Sequence, residues 1–219
     1  GTYNLTTVPF PTVNDITLIG SGRDNTTITR GGTNQFLYFT GCTLRDLTLD
    51  GADYNDMILY SSQGNGCFMY NCRVTNCDTT TIYSIYVDTT KDFIIDNCLF
   101  DNFTAVDPSF VRVNEGTKVK ISNSSFTSYI GTGSVIGVSG ENSITNCYFS
   151  GGDGTSTVIL ATAATGYRTT VTGCIFEDAD TVAEFRTGGA VFSDNVVKMA
   201  GTMTYCLKIR KGTEESIVS

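Results

Sequence analysis

The chain has 219 residues, of which 40% are hydrophobic and only 16% charged, against about 25% charged in an ordinary soluble domain. Too few Glu, Lys and Arg remain to solvate the outer faces of a helical bundle, and a formal charge of -8 repels a phosphate backbone, so no nucleic-acid partner is expected. Histidine is absent, which removes Ser-His-Asp and Cys-His catalysis and every His-ligated metal site. No apolar run reaches the ~18 residues of a membrane-spanning helix and no signal-peptide pattern opens the chain, so no membrane insertion is expected.

In chain order, short runs alternate apolar with polar residues, as in Leu37-Tyr38-Phe39, Val111-Arg112-Val113 and Leu207-Lys208-Ile209, and no segment sustains a helical stripe. The 23 glycines fall mostly between these runs, which predicts many short strands joined by turns. One six-residue pattern recurs: VNDITL from Val13, LRDLTL from Leu44, MYNCRV from Met69, IDNCLF from Ile95, ISNSSF from Ile121, ITNCYF from Ile144, VTGCIF from Val171 and FSDNVV from Phe192. The copies are separated by 31, 25, 26, 26, 23, 27 and 21 residues.

The third position of each copy is Asp15, Asp46, Asn71, Asn97, Asn123, Asn146, Gly173 or Asp194, the residue types that tolerate a left-handed backbone. A one-residue bend there turns the first and sixth positions, apolar in every copy, toward the same interior. A variable period near 25 residues with a second strand upstream of each bend predicts an all-β fold, a right-handed single-stranded parallel β-helix of about eight coils, spanning 1–219 as one domain. A propeller would need a period nearer 40 and a leucine-rich repeat a fixed Leu pattern. Coils stacked about 4.8 Å apart give a rod of about 38 Å. They also place Phe100, Phe126, Phe149 and Phe176 in an aromatic ladder and Asn71, Asn97, Asn123 and Asn146 in a hydrogen-bonded one. Neither end offers the polar cap a solenoid needs, so a module of a longer chain is expected.

The opening Gly1-Thr2-Tyr3, the run Ile16-Thr17-Leu18-Ile19-Gly20-Ser21-Gly22 with Thr26-Thr27-Ile28, and the Asn-Cys-x-Phe bends resemble the pectate-lyase superfamily. The likeness is strongest to the lyase-like branch common in phage tailspikes. The resemblance implies a β-helical module that recognises a surface polysaccharide, works as a homotrimer and sits in a virion tail assembled in the host cytoplasm; an extracellular or cell-surface location is the alternative. Fold alone does not fix function. The Gly-His-Gly, Trp-Ile-Asp-His and Gly-Arg-Pro-Trp segments of the family's plant-polysaccharide enzymes are missing from this chain, whereas tailspikes share no catalytic motif.

Aligning the inward pairs leaves an outward column of Tyr38, Leu59, Tyr86, Arg112 and Gly137, then Glu184 and Lys208 beyond one coil of open register. Tyr rings offer faces for sugars to stack on, and Arg112 with Asp88 or Asn114 can bond hydroxyls; Tyr38, Tyr86, Asp88, Arg112 and Asn114 are the candidate carbohydrate-binding residues, with ordinary outward positions or a subunit interface as the plain alternative. Glycosidase chemistry needs two carboxyls about 5 to 9 Å apart, one of raised pKa. Glu184, on a strand, with Asp178 or Asp180 forms the candidate catalytic set; an ion pair between Glu184 and Lys208 is the plain alternative. Asp50, Asp53 and Asp56 lack the loop pattern of a known calcium site, and no cofactor or metal is expected.

Cys72, Cys98, Cys147 and Cys174 share one inward repeat position where a small buried hydrophobe is wanted, so stacked free thiols are expected, although pairs such as Cys72 with Cys98 are close enough to bond in principle. Sequons at Asn4, Asn25, Asn102 and Asn123 are expected by chance in an Asn/Thr-rich chain. Three functions fit: a tailspike or tail-fibre receptor-binding module, a polysaccharide lyase or hydrolase, and a structural or adhesive rod.

Overall fold

The computed structural model describes residues 1–5, 13–32, 37–53, 58–62, 66–79, 83–88, 92–105, 109–152, 157–162, 167–199, 203–210 and 213–218. Among them every regular element is a strand, and the strand pairings are parallel. The cause is visible at the bends. All eight third-position residues have positive φ, from 49° at Asn71 to 67° at Gly173, a conformation that costs most L-residues about 1–2 kcal/mol and that Asn, Asp and Gly accept. From Asp46 onward each bend turns the chain out of one sheet and into the next within two residues. The first copy is misplaced: Leu18, not Val13, pairs with Leu44, so Asp15 lies inside the strand Val13–Ile19 opposite Gly41, and Gly20 takes the place of Asp46 in the first coil, because the 31-residue spacing carries the pattern back to another corner.

Nine short strands stack on the far side of the bends, from Thr2–Leu5 through Leu99–Ala105 to Val196–Lys198. The other strands form a thirteen-stranded sheet that rounds a corner. The strand Ser109–Ser122 shows how: its pairing with Ser134–Thr145 shifts register between Val113 and Thr117, so one long strand serves two faces of the coil.

Of the sixteen first and sixth repeat positions, thirteen are buried, and Leu18 and Val197 pack half-buried against the same core; the side chain of Val13 lies outside the described residues. Like stacks on like. The rings of Phe100 and Phe126 lie 4.5 Å apart, Phe126 and Phe149 5.0 Å, and Phe149 and Phe176 5.0 Å, all within 10° of parallel. Of the predicted amide ladder, the rung between Asn71 and Asn97 forms. Asn97 donates to Asn71 at 3.3 Å and Asn71 to Asp46 at 2.6 Å, but Asn123 donates instead to the Asp96 carboxylate at 2.9 Å, a charged acceptor that outcompetes an amide oxygen.

The fourth repeat position has a job beyond filling space. The backbone N–H of Cys72 donates to Cys98 Sγ at 3.5 Å, that of Cys98 to Ser124 Oγ at 3.0 Å, that of Cys147 to Cys174 Sγ at 3.5 Å, and that of Cys174 to Asn195 Oδ1 at 2.9 Å. In these four places the later coil thereby satisfies an amide of the coil before it. All eight cysteines are free, seven of them buried and Cys206 exposed.

A second ladder runs along the far corner. Asn76, Asn102 and Ser128 have φ of 53°, 52° and 54°, Asn102 donates to Asn76 at 2.6 Å, and Asn76 donates to Asp50 at 3.0 Å. Just past these bends, Cys77, Phe103 and Tyr129 turn inward and are buried.

Candidate functional site

The outward column is one residue different from its sequence reading. Leu59 pairs with Leu37 and is fully buried; the register position between Tyr38 and Tyr86 belongs to Tyr60. The slip arises because the coil from Tyr38 to Tyr60 is shorter than its neighbours, and a one-residue error in a strand exchanges its two faces. Beyond Arg112 and Gly137, Leu160 occupies the coil whose register was open and pairs with Glu184, which pairs with Lys208. The column therefore reads Tyr38, Tyr60, Tyr86, Arg112, Gly137, Leu160, Glu184, Lys208.

Four of the five candidate binding residues come together at its middle. Asn114 Nδ2 donates to Tyr86 Oη at 2.6 Å and to Asp88 Oδ1 at 3.1 Å, and Arg112 is the direct cross-strand partner of Tyr86. The Tyr86 ring stacks on Tyr83, centroids 4.9 Å apart and 11° from parallel. Tyr38 stands two rungs away, about 10 Å at the usual strand spacing. Arg112 lies flat against the next rung because position 137 is Gly: a Cβ there would come within 3.2 Å of Arg112 Nη1 and would collide with Ser109 Oγ. The Nε of Arg112 is buried and has no hydrogen-bond partner among the described residues, an unfilled donor of the kind folded proteins avoid.

At the far end of the column the candidate acids are engaged separately. Glu184, about 5% exposed, accepts from Arg186 Nε at 2.8 Å and from Arg210 Nε at 2.5 Å, with Lys208 Nζ at 3.5 Å. Burial works against its ionisation, but the hydrogen bonds from Arg186 and Arg210 outweigh it and hold the carboxyl below the usual range. That is the reverse of what a general acid requires. Asp180 accepts from Thr204 Oγ1 at 2.5 Å, and Asp178 is exposed at a positive-φ turn. Glu177 is held low by Tyr148, which donates at 2.5 Å, and by Lys198 at 2.9 Å. Among the described residues three cations surround one carboxylate at Glu184.

Of the second-coil acids, Asp50 is occupied in holding Asn76 and the backbone N–H of Ala52, each at 3.0 Å, and Asp56 lies outside the described residues. Among the described residues no three His, Cys, Asp or Glu side chains gather as a metal site, and no helix is long and apolar enough to cross a membrane.

The family described as "Right handed beta helix region" matches residues 56–218. Six of the eight bends, Asn71 to Asp194, fall within that span, so the match covers about six turns. No curated protein and no solved structure matches the chain.

Proposed function

Because the chain belongs to the family of right-handed β-helix regions, we propose that it is a polysaccharide-recognising β-helical module whose outward column carries the sugar-facing surface. The observation that carries this reading is the part-exposed Arg112 side chain beside the stacked Tyr83 and Tyr86 rings and the Asn114–Asp88 pair. A sugar ring can stack on an aromatic face, while its hydroxyl or carboxylate oxygen accepts from the guanidinium of Arg112. Lys208 in that column, with Arg186 and Arg210 two residues further along, outnumbers Glu184 and favours a saccharide bearing acidic groups.

Within this reading the chain serves as a shaft or receptor-binding part of a phage tailspike or tail fibre, working as a homotrimer on a virion assembled in the cytoplasm. Buried free thiols and the lyase-like opening motif support it. Light scattering on the purified protein tests the trimer, and a monomer would count against the tail assignment. The lyase or hydrolase reading rests on Glu184 with Asp178 or Asp180. It predicts that Glu184→Gln abolishes release of reducing ends from a cleavable polysaccharide, and unchanged release removes it.

Binding itself is tested by calorimetric titration with neutral and uronate-containing oligosaccharides. Arg112→Ala and Tyr86→Ala are each expected to weaken binding about tenfold or more, since a hydrogen bond to a charged group contributes about 1.5–3 kcal/mol. Oligosaccharide affinity unchanged by both substitutions would refute the surface, and absence of binding altogether would leave a structural rod.

A further inference from the structure

Cys42 and Cys67 are direct partners in the parallel pairing of the strands Leu37–Arg45 and Cys67–Tyr70, and their Sγ atoms meet at 2.8 Å. Paired residues of adjacent strands sit about 4.8 Å apart, inside the Cα separation of roughly 4.4–6.8 Å that a disulfide spans. Cys72 with Cys98 and Cys147 with Cys174 also interact thiol to thiol, but these and Cys77 have backbone acceptors as well. Cys72 and Cys98 donate to the carbonyls of Tyr70 at 3.3 Å and Asp96 at 3.4 Å, Cys77 to Thr75 at 3.4 Å, Cys147 to Thr145 at 3.3 Å and Cys174 to Thr172 at 3.6 Å. Cys42 and Cys67 follow the positive-φ glycines Gly41 and Gly66, and there the two sulfurs point at each other across the rung, with Ser61 also interacting with Cys67.

Access is one-sided. A cleft of about 90 Å³, lined by Asp15, Ile16, Cys42, Thr43, Gly66 and Phe68, reaches Cys42, while Cys67 is fully buried behind it. The hydrogen bond with Cys42, and then burial, push the Cys67 thiol well above its ordinary value.

We propose that Cys42 and Cys67 form an oxidisable dithiol that closes into a disulfide between the two coils when the protein meets a small-molecule disulfide. The Cys42 thiolate attacks one sulfur of the reagent; a new S–S bond forms, the reagent's own S–S bond breaks, and its first half leaves as a thiolate. Cys67, giving up its proton, then attacks Cys42 Sγ of the mixed disulfide and expels the second half as a thiolate. Two protein thiols are oxidised, one disulfide is reduced to two thiols, and the two protons lost by the protein end on the released thiolates. The cross-link ties two neighbouring rungs of the stack, and it goes beyond any ligand the outward column binds.

The probe is cystamine, a small cationic disulfide suited to a cleft containing Asp15, incubated with the full folded chain at mildly alkaline pH and followed by blocking of residual thiols and unreduced tryptic mapping. The expected result is loss of two of the eight thiols and a linkage joining the peptide 31–45 to the peptide 46–73. That linkage should be retained in Cys72→Ser, which removes the other cysteine of the second peptide, and lost in Cys67→Ser. The wild-type map stands even if a variant fails to fold. A map with no link from Cys42, or a link that survives Cys67→Ser, would overturn the proposal.

Discussion

Replacing Asn71 by Ala and, separately, by Gly divides the two contributions that a bend residue makes. Asn71 sits at φ 49°, donates to Asp46 at 2.6 Å and accepts from Asn97 at 3.3 Å. Both substitutions remove the two side-chain hydrogen bonds, each worth about 0.5–1.5 kcal/mol. Ala adds the left-handed strain of about 1–2 kcal/mol, whereas Gly escapes it and loses about 0.5–1 kcal/mol through its greater freedom in the unfolded chain. Gly is therefore expected to be the milder change by about 1 kcal/mol, roughly 2–4 °C in Tm for a chain of this size. Thermal unfolding followed by far-UV circular dichroism reads the order directly: wild type, then Asn71→Gly, then Asn71→Ala. If Ala matched or exceeded Gly, the bends would not be held by backbone conformation, and the argument from the third repeat position would fail.

Three further outcomes follow from the same structure. Phe126→Ala, which empties a fully buried site stacked on both sides, should cost about 3–5 kcal/mol, seen as a large fall in the urea midpoint, with Phe126→Leu costing less than half as much. Cys98→Ser should be nearly neutral, because Ser124 already fills the equivalent place, whereas Cys98→Val leaves the Cys72 amide unpaired and should cost about 1–3 kcal/mol; urea titration distinguishes them. The depressed folded pKa of Glu184 means that its stabilisation is present above the unfolded value of about 4.3. It is lost as pH falls through the folded pKa, because the unfolded state binds the extra proton. Glu184→Gln should accordingly lower Tm at neutral pH and converge toward wild type in acid, and a constant difference across pH would contradict the ion-pair account.

The repeat was legible because its signal is local: a six-residue pattern with one obligatory backbone conformation, in register from Asp46 to Asp194, whereas the first copy, 31 residues before the second, falls five residues too early. The Phe ladder and the buried cysteine column followed from position alone. The second ladder of Asp50, Asn76 and Asn102 was legible in principle, since these residues lie 26 apart, but its positions carry mixed residue types and sit in the part of each coil where strand length varies. Variable length also displaced Tyr60 from the sequence-read column in favour of Leu59, whereas the Cys42–Cys67 pair stands two residues upstream of the hexad in both copies and escaped a column read only within the hexad. The grouping of Tyr86, Asp88, Arg112 and Asn114 could be anticipated from alternation. The clamp on Glu184 could be foreseen only for Lys208, because Arg186 and Arg210 act from two residues further along their strands.

The side chains at the fourth repeat position give the rod a direction of construction. Cys98 completes the amide of Cys72, Ser124 that of Cys98, and Asn195 that of Cys174, always from the later coil to the earlier. A chain emerging N-terminus first would present, at its growing face, an amide waiting for the coil still to come, so each turn recruits its successor and none needs its successor's apolar layer to be identical to its own. Coils become exchangeable parts joined by a one-atom connector, and lengthening or shortening the rod by a whole turn requires only that the incoming turn offer a sulfur or oxygen at that place.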